Sequence, residues 1–191
     1  MVPDVHDERT GKQMMERIAV FEKVSKEQFV KDWLHTFADC TAEQAEKIYE
    51  DIQLPRRATK GSAGYDFFTP LDFTVRPGEQ ILIPTGVRVK IVNGYVLMLF
   101  PRSSLGFKYR LQLNNTVGVI DSDYYNADNE GHIFCKLTND TVEDRTVELK
   151  KGTGMVQGIF LPFGITEDDN AEAARTGGIG STTEKAVKIN E

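Results

Sequence analysis

Residues 114–126, NNTVGVIDSDYYN, alternate apolar side chains and then stop on acids and aromatics. Turn formers after a strand are ordinary. Asp121 at the end of a buried strand could instead accept a proton from a bound water, and Tyr124, three residues on, could offer an aromatic shelf to a ligand. PRSSLGFK (101–108) sets Arg102 beside Ser103 and Ser104. Arginine supplies a planar, permanently charged fork for phosphate oxygens and the hydroxyls add short donors, although the same residues could simply cap a helix. KGSAGYDFF (60–68) places two glycines before Asp66, where backbone can approach a ligand closely. Gln157 stands in a strand pattern where an apolar residue is expected, so its amide needs a partner, either a protein group or a ligand. RTGGIGSTTEK (175–185) joins Arg175 to a run of backbone N–H groups and hydroxyls suited to an anion. The chemistry these residues share is the handling of a small phosphorylated molecule.

Composition narrows the partners. A net charge of −6 argues against duplex DNA or other nucleic acid, which requires many phosphate-neutralising cations. It leaves room for one phosphorylated small molecule on a few local cations. Two cysteines without CxxC spacing and three scattered histidines argue against a disulfide framework or a zinc site. No stretch approaches the ~18 apolar residues of a membrane span, and no signal peptide is visible, so no membrane association and a cytoplasmic location are expected.

The elements that must position these residues change character along the chain. RIAVFEKV (17–24) reads as a first strand. Ser25 with Gln28, and Thr41 with Gln44, have capping-box spacing, predicting two helices within 25–50. Phe29, Trp33, Leu34 and Phe37 share one face of the first helix, and Ala45, Ile48 and Tyr49 one face of the second, as core anchors. From Leu54-Pro55 the pattern turns to short strands. Pro77-Gly78 and Asn93-Gly94 mark turns between EQILIPTGVRVKIV and YVLMLF, and HIFCKLTN and MVQGIFLPF continue the series. Many strands without alternating helices predict a mainly β protein, an antiparallel β-barrel or double-sheet jelly roll. One domain is expected over 1–191: a helical insertion at 25–50, a β core at 54–163, and a polar, mobile C-terminal arm at 164–191.

The order of the five stretches is more specific than any one of them. AGYD, PRSS, NTVGVIDSDY, G-x-x-x-x-Q and R-x-GG-x-GST, spread over 54–183, resemble the five-motif signature of the trimeric dUTPases, which hydrolyse deoxyuridine triphosphate (dUTP). The resemblance implies that Asp121 activates the water attacking the α-phosphorus and also bonds the sugar 3′-hydroxyl. It implies that Tyr124 lies against the deoxyribose and leaves no room for a 2′-hydroxyl, while Asn115 and nearby backbone read the uracil edge. Arg102, Ser103, Ser104 and Gln157 would hold the phosphate chain, and Asp66 would reach Mg²⁺ through water. Arg175 with Gly178, Ile179, Gly180, Ser181 and Thr182 would close over the nucleotide from another subunit of a homotrimer. The products would be dUMP and pyrophosphate, keeping uracil out of DNA and supplying dUMP for thymidylate synthesis.

The chain departs from the family pattern at three places. Ile179 stands where an aromatic is usual, residues 126–129 lengthen a normally tight hairpin, and the two helices of 25–50 are inserted. Two alternatives share the fold. A dCTP deaminase would use Glu130, but it typically carries an arginine where this chain has Phe107 and lacks the Asp-x-Asp-Tyr ending. A non-catalytic nucleotide-sensing regulator would use the helical insertion as its contact surface.

Overall fold

The computed structural model describes residues 16–173 together with Arg175 and Gly177. In chain order the elements are β1 (Ala19–Lys23), α1 (Lys26–Thr36), α2 (Ala42–Glu50), β2 (Arg56–Arg57), β3 (Tyr65–Phe68), β4 (Phe73–Val75), β5 (Gln80–Pro84), β6 (Val87–Ile91), β7 (Tyr95–Pro101), α3 (Ser103–Tyr109), β8 (Leu111–Leu113), β9 (Gly118–Ile120), β10 (Phe134–Asn139), β11 (Val147–Leu149) and β12 (Gly154–Pro162). A 3₁₀ turn, Ser122–Asn126, follows β9.

The strands form one five-stranded sheet in the order β2-β3-β12-β7-β9, a three-stranded sheet β5-β10-β8, and the pairs β1-β6 and β4-β11. Every pairing among the described residues is antiparallel. This is the mainly β architecture that the short alternating runs predict. The alternation itself aims the side chains: Val87, Val89 and Ile91 of β6 and Leu97 and Leu99 of β7 are buried, while the intervening residues are more exposed. Between the sheets lie Phe67, Ile83, Leu111, Ile133, Leu137 and Met155, all fully buried.

The two helices bury their aromatic stripe against this barrel. Phe29 and Trp33 are buried, and the Phe29, Trp33 and Phe37 rings pack in sequence with centroids 5.1 Å and 4.6 Å apart. At α2 the capping box is complete: Thr41 Oγ1 accepts from the Gln44 N–H and Gln44 Oε1 accepts from the Thr41 N–H. At α1 only half forms. Ser25 Oγ accepts from the Gln28 N–H at 3.1 Å, but the reciprocal role passes to Glu130, 105 residues away, which accepts from both the Ser25 N–H and Oγ–H at 2.7 Å. A remote carboxylate thus completes the cap and ties the insertion to the segment that follows Tyr124.

Candidate active site

A cavity of about 370 Å³ opens beside β9 and β10, lined by Asn115, Gly118, Ile120, Tyr124, Lys136 and Arg175 among others. Asn115 belongs to a tight turn in which its carbonyl accepts the Val117 N–H at 2.6 Å and Thr116 takes a positive φ of 61°. That turn feeds β9, whose Gly118 lies against Leu99: a Cβ there would come within 3.1 Å of the leucine side chain. Strand β9 is therefore seated closely on β7, and its end, Asp121, falls beside the cavity.

Tyr124 is the buried wall of the cavity, 5% exposed. Its hydroxyl donates to the His132 carbonyl at 2.8 Å and accepts from Asn129 Nδ2 at 2.9 Å. Burial, opposed by the Asn129 donor and the Arg175 charge, pushes the Tyr124 phenol above its ordinary value, so the ring stays neutral. Asp121, by contrast, is half exposed. Arg175 spans the two: its Nη2 lies 2.7 Å from Asp121 Oδ2, its Nε 3.1 Å from Asp123 Oδ1, and its guanidinium 5.4 Å from the centre of the Tyr124 ring. Within the single chain, Arg175 thus reaches its own Asp121.

Arg102, Asp66 and Gln157 form a second cluster. Asp66 on β3 stands opposite Gln157 on β12, and Gln157 stands opposite Phe100 on β7. Gln157 Nε2 donates to the Pro101 carbonyl at 3.1 Å, so its amide finds a protein partner. Arg102 Nε lies 3.0 Å from Asp66 Oδ1, and Nη1 donates to the Gly154 carbonyl at 3.1 Å. Glycine makes both approaches feasible: a Cβ at Gly154 would lie 2.7 Å from Arg102 Nη1, and one at Gly64 2.7 Å from Gln157 Oε1. Ser103 and Ser104 are exposed in the first turn of α3, which Arg102 precedes without a side-chain cap. Gly178, Ile179, Gly180, Ser181 and Thr182 lie outside the described residues.

The two clusters occupy opposite ends of one strand. Ile120 pairs with Leu97, so Asp121 continues opposite Val96, six residues before Arg102 along β7. At about 3.3 Å per residue this separates them by roughly 20 Å.

Among the described residues no group of three or more His, Cys, Asp or Glu side chains could hold a metal ion. Asp66 fits a lesser role, since Arg102 takes Oδ1 and no described residue bonds Oδ2. A Mg²⁺ here would draw its remaining ligands from phosphate and water, the oxygens it favours. Glu130, which a deaminase would need, is occupied: both its oxygens bond Ser25, and Arg88 Nη1 lies 3.9 Å away. Sequence reasoning did not single out Asp123, Lys136 or the His132 carbonyl. The one available signal was that Asp123 completes the Asp-Ser-Asp ending; the other two depend on how β10 packs.

The chain resembles dUTPase from Streptococcus mutans with a TM-score of 0.56 and 38% identity, covering 77% of this chain and 98% of that one. It resembles a mutant dUTPase from phage phi11 of S. aureus with a TM-score of 0.52 and 25% identity, covering 65% and 92%. Among curated relatives, the deoxyuridine 5′-triphosphate nucleotidohydrolase of Lactococcus lactis subsp. lactis (strain IL1403) is 48% identical over 134 residues, 69% of this chain and 88% of the relative. That of Shewanella halifaxensis (strain HAW-EB4) is 34% identical over 147 residues, 73% and 92%. The dUTPase family profile matches residues 50–183. The chain belongs to the dUTPase family.

Proposed function

We propose that this member of the dUTPase family, a dUTP diphosphatase, splits dUTP to dUMP and pyrophosphate at a site shared between subunits, with Mg²⁺ on the phosphates. The observation that carries the reading is the meeting of Asn115, Tyr124 and Arg175 at one cavity, with Asp121 held by Arg175 and with Arg102 roughly 20 Å from Asp121 past the far end of β7. A second copy that brings its Arg102, Ser103, Ser104 and Gln157 to this cavity supplies the missing phosphate clamp, which supports a closed homotrimer.

In this reading the nucleoside enters the cavity with its sugar on the Tyr124 ring, and Asn115 and adjacent backbone meet the uracil edge. Asp121 accepts a proton from a water as that water attacks the α-phosphorus; the bond to the bridging oxygen breaks and pyrophosphate leaves. An aspartate suits the task because its carboxylate oxygens can accept the water's proton. Asp66 would hold Mg²⁺ through water, and the metal would supply neutralisation of phosphate charge. The phi11 relative coordinates a structural Mg(II) ion, which supports an affinity of this family for the metal. Arg175 and the residues after it close over the nucleotide. The cellular role is to keep uracil out of DNA and to supply dUMP for thymidylate synthesis, in the cytoplasm. No described helix is long and apolar enough to cross a membrane.

The test is incubation with dUTP, UTP, dTTP and dCTP, with and without Mg²⁺, identifying every product. Conversion of dUTP alone to monophosphate and pyrophosphate, at full rate only with Mg²⁺, is expected. Comparable kcat/KM for UTP and dUTP would remove the sugar-platform role of Tyr124, and ammonia from dCTP would reinstate the deaminase.

A further inference from the structure

His132 is fully buried, and both ring nitrogens are engaged. Nε2 accepts the Gly86 N–H at 2.8 Å, so it carries no proton, and the ring proton sits on Nδ1. Nδ1 then donates to Asp32 Oδ2 of α1 at 2.6 Å, and the same oxygen accepts from Gln28 Nε2 at 2.8 Å. The imidazole is further confined between Phe29 of α1 and Phe134 of β10, with centroids 6.1 Å and 4.6 Å away. Hydrogen bonds at both nitrogens and two tilted aromatic neighbours set the orientation of the ring and so anchor the backbone that bears it. The His132 carbonyl is the acceptor for the Tyr124 hydroxyl.

The loop between these residues is closed equally tightly. Gly131 has a φ of +71°, and a Cβ there would lie 2.7 Å from the Tyr124 carbonyl oxygen. Glu130 is locked to Ser25 at the start of α1. Tyr124, at one end of this loop, therefore lines the cavity, while Glu130 and His132, at the other, bond the inserted helix and its cap.

We propose that Asp32 and His132 are positioning residues for the reaction: Asp32 of the helical insertion accepts the Nδ1 proton and holds the His132 ring, and through the His132 carbonyl sets the Tyr124 ring as the surface that discriminates against a ribose. This inference rests on the sugar-platform reading of Tyr124. It makes the insertion part of substrate selection, and neither residue touches the nucleotide.

Three variants test it, each read as the ratio of kcat/KM for dUTP to that for UTP. Tyr124→Ala tests the platform itself. Asp32→Ala removes the acceptor for Nδ1–H and should lower the ratio about three- to tenfold, the loss expected of one charge-assisted hydrogen bond acting on a shared geometry. Asp32→Asn keeps an oxygen acceptor at that place and should restore the ratio to within about twofold, a rescue that a merely structural loss would not track. A folded, fully assembled Asp32→Ala enzyme with undiminished discrimination, alongside loss in Tyr124→Ala, would overturn the positioning role while leaving the platform standing. Undiminished discrimination in Tyr124→Ala would remove the platform, and the positioning role with it. If Asp32→Ala does not fold, ¹⁵N-histidine NMR of the unaltered enzyme decides: an Nδ1–H tautomer at His132 supports the dyad, and an Nε2–H tautomer overturns it.

Discussion

Arg175 Nη2 lies 2.7 Å from Asp121 Oδ2, so the last described arginine of the chain rests on the carboxylate proposed as the base. The arginine is largely buried there while Asp121 is half exposed, which leaves a carboxylate edge open to water. An arginine in this place can neutralise charge that develops on the phosphate once nucleotide fills the cavity. Arg175→Ala should lower kcat about 10²-fold, on the scale of one lost charge-stabilising donor, with assembly unchanged by light scattering. Unaltered turnover would show that the Asp121 contact is only a resting place for the side chain.

Asp121→Asn keeps the size of the side chain but cannot take the water's proton. Hydrolysis should fall by about 10²–10⁴, while calorimetry still detects nucleotide binding. Turnover near that of the unaltered enzyme, in protein free of host dUTPase, would exclude Asp121 as the base.

The roughly 20 Å between Asp121 and Arg102 along β7 predicts complementation. Asp121→Asn and Arg102→Ala chains should each be nearly inactive alone. Refolded together, they should regain activity in roughly a quarter of sites, because a random trimer pairs an intact base with an intact clamp that often. A mixture no more active than its components would place both ends of the nucleotide on one chain.

Gly154→Ala puts a methyl group 2.7 Å from Arg102 Nη1. Because the obstacle is the far end of a flexible side chain, the fold should survive while Arg102 swings away from the Gly154 carbonyl and Asp66. KM for dUTP should rise about tenfold, or ~1.4 kcal/mol, with little change in the melting temperature.

Two carboxylates anchor the insertion, and both titrate low. Burial raises the Asp32 carboxyl, but the His132 and Gln28 hydrogen bonds outweigh it; burial likewise raises Glu130, and the Ser25 bonds and Arg88 charge outweigh that. Their folded pKa values therefore lie below the unfolded 3.8 and 4.5, so their contribution is complete above about 4.5 and is lost as pH falls through the lower, folded values. Trp33, the only tryptophan and buried in α1, reports the loss. Its emission should shift to the red below pH ~4, ahead of the far-ultraviolet signal of the strands. Glu130→Gln should weaken this acid dependence. Simultaneous loss of both signals in every variant would mean that the insertion and the barrel unfold as one unit.

The alternation in VRVKI and YVLMLF, the turn dipeptides and the complete capping box at Thr41 were all readable in the sequence, because each depends on residues within a few positions of one another. The same holds for the family, whose motifs are short runs in a fixed order. What lay beyond the sequence were the long-range pairings. Nothing local to Ser25 announces that its cap partner is Glu130, and nothing in HIFCKLTN shows that His132 bridges Asp32 and Gly86. The five motifs read as one site in order along the chain, but the register of β7 with β9 places Asp121 and Arg102 at opposite ends of a strand. Local periodicity fixes which face a side chain takes, whereas strand register and helix docking, set by packing across the whole core, decide which faces meet.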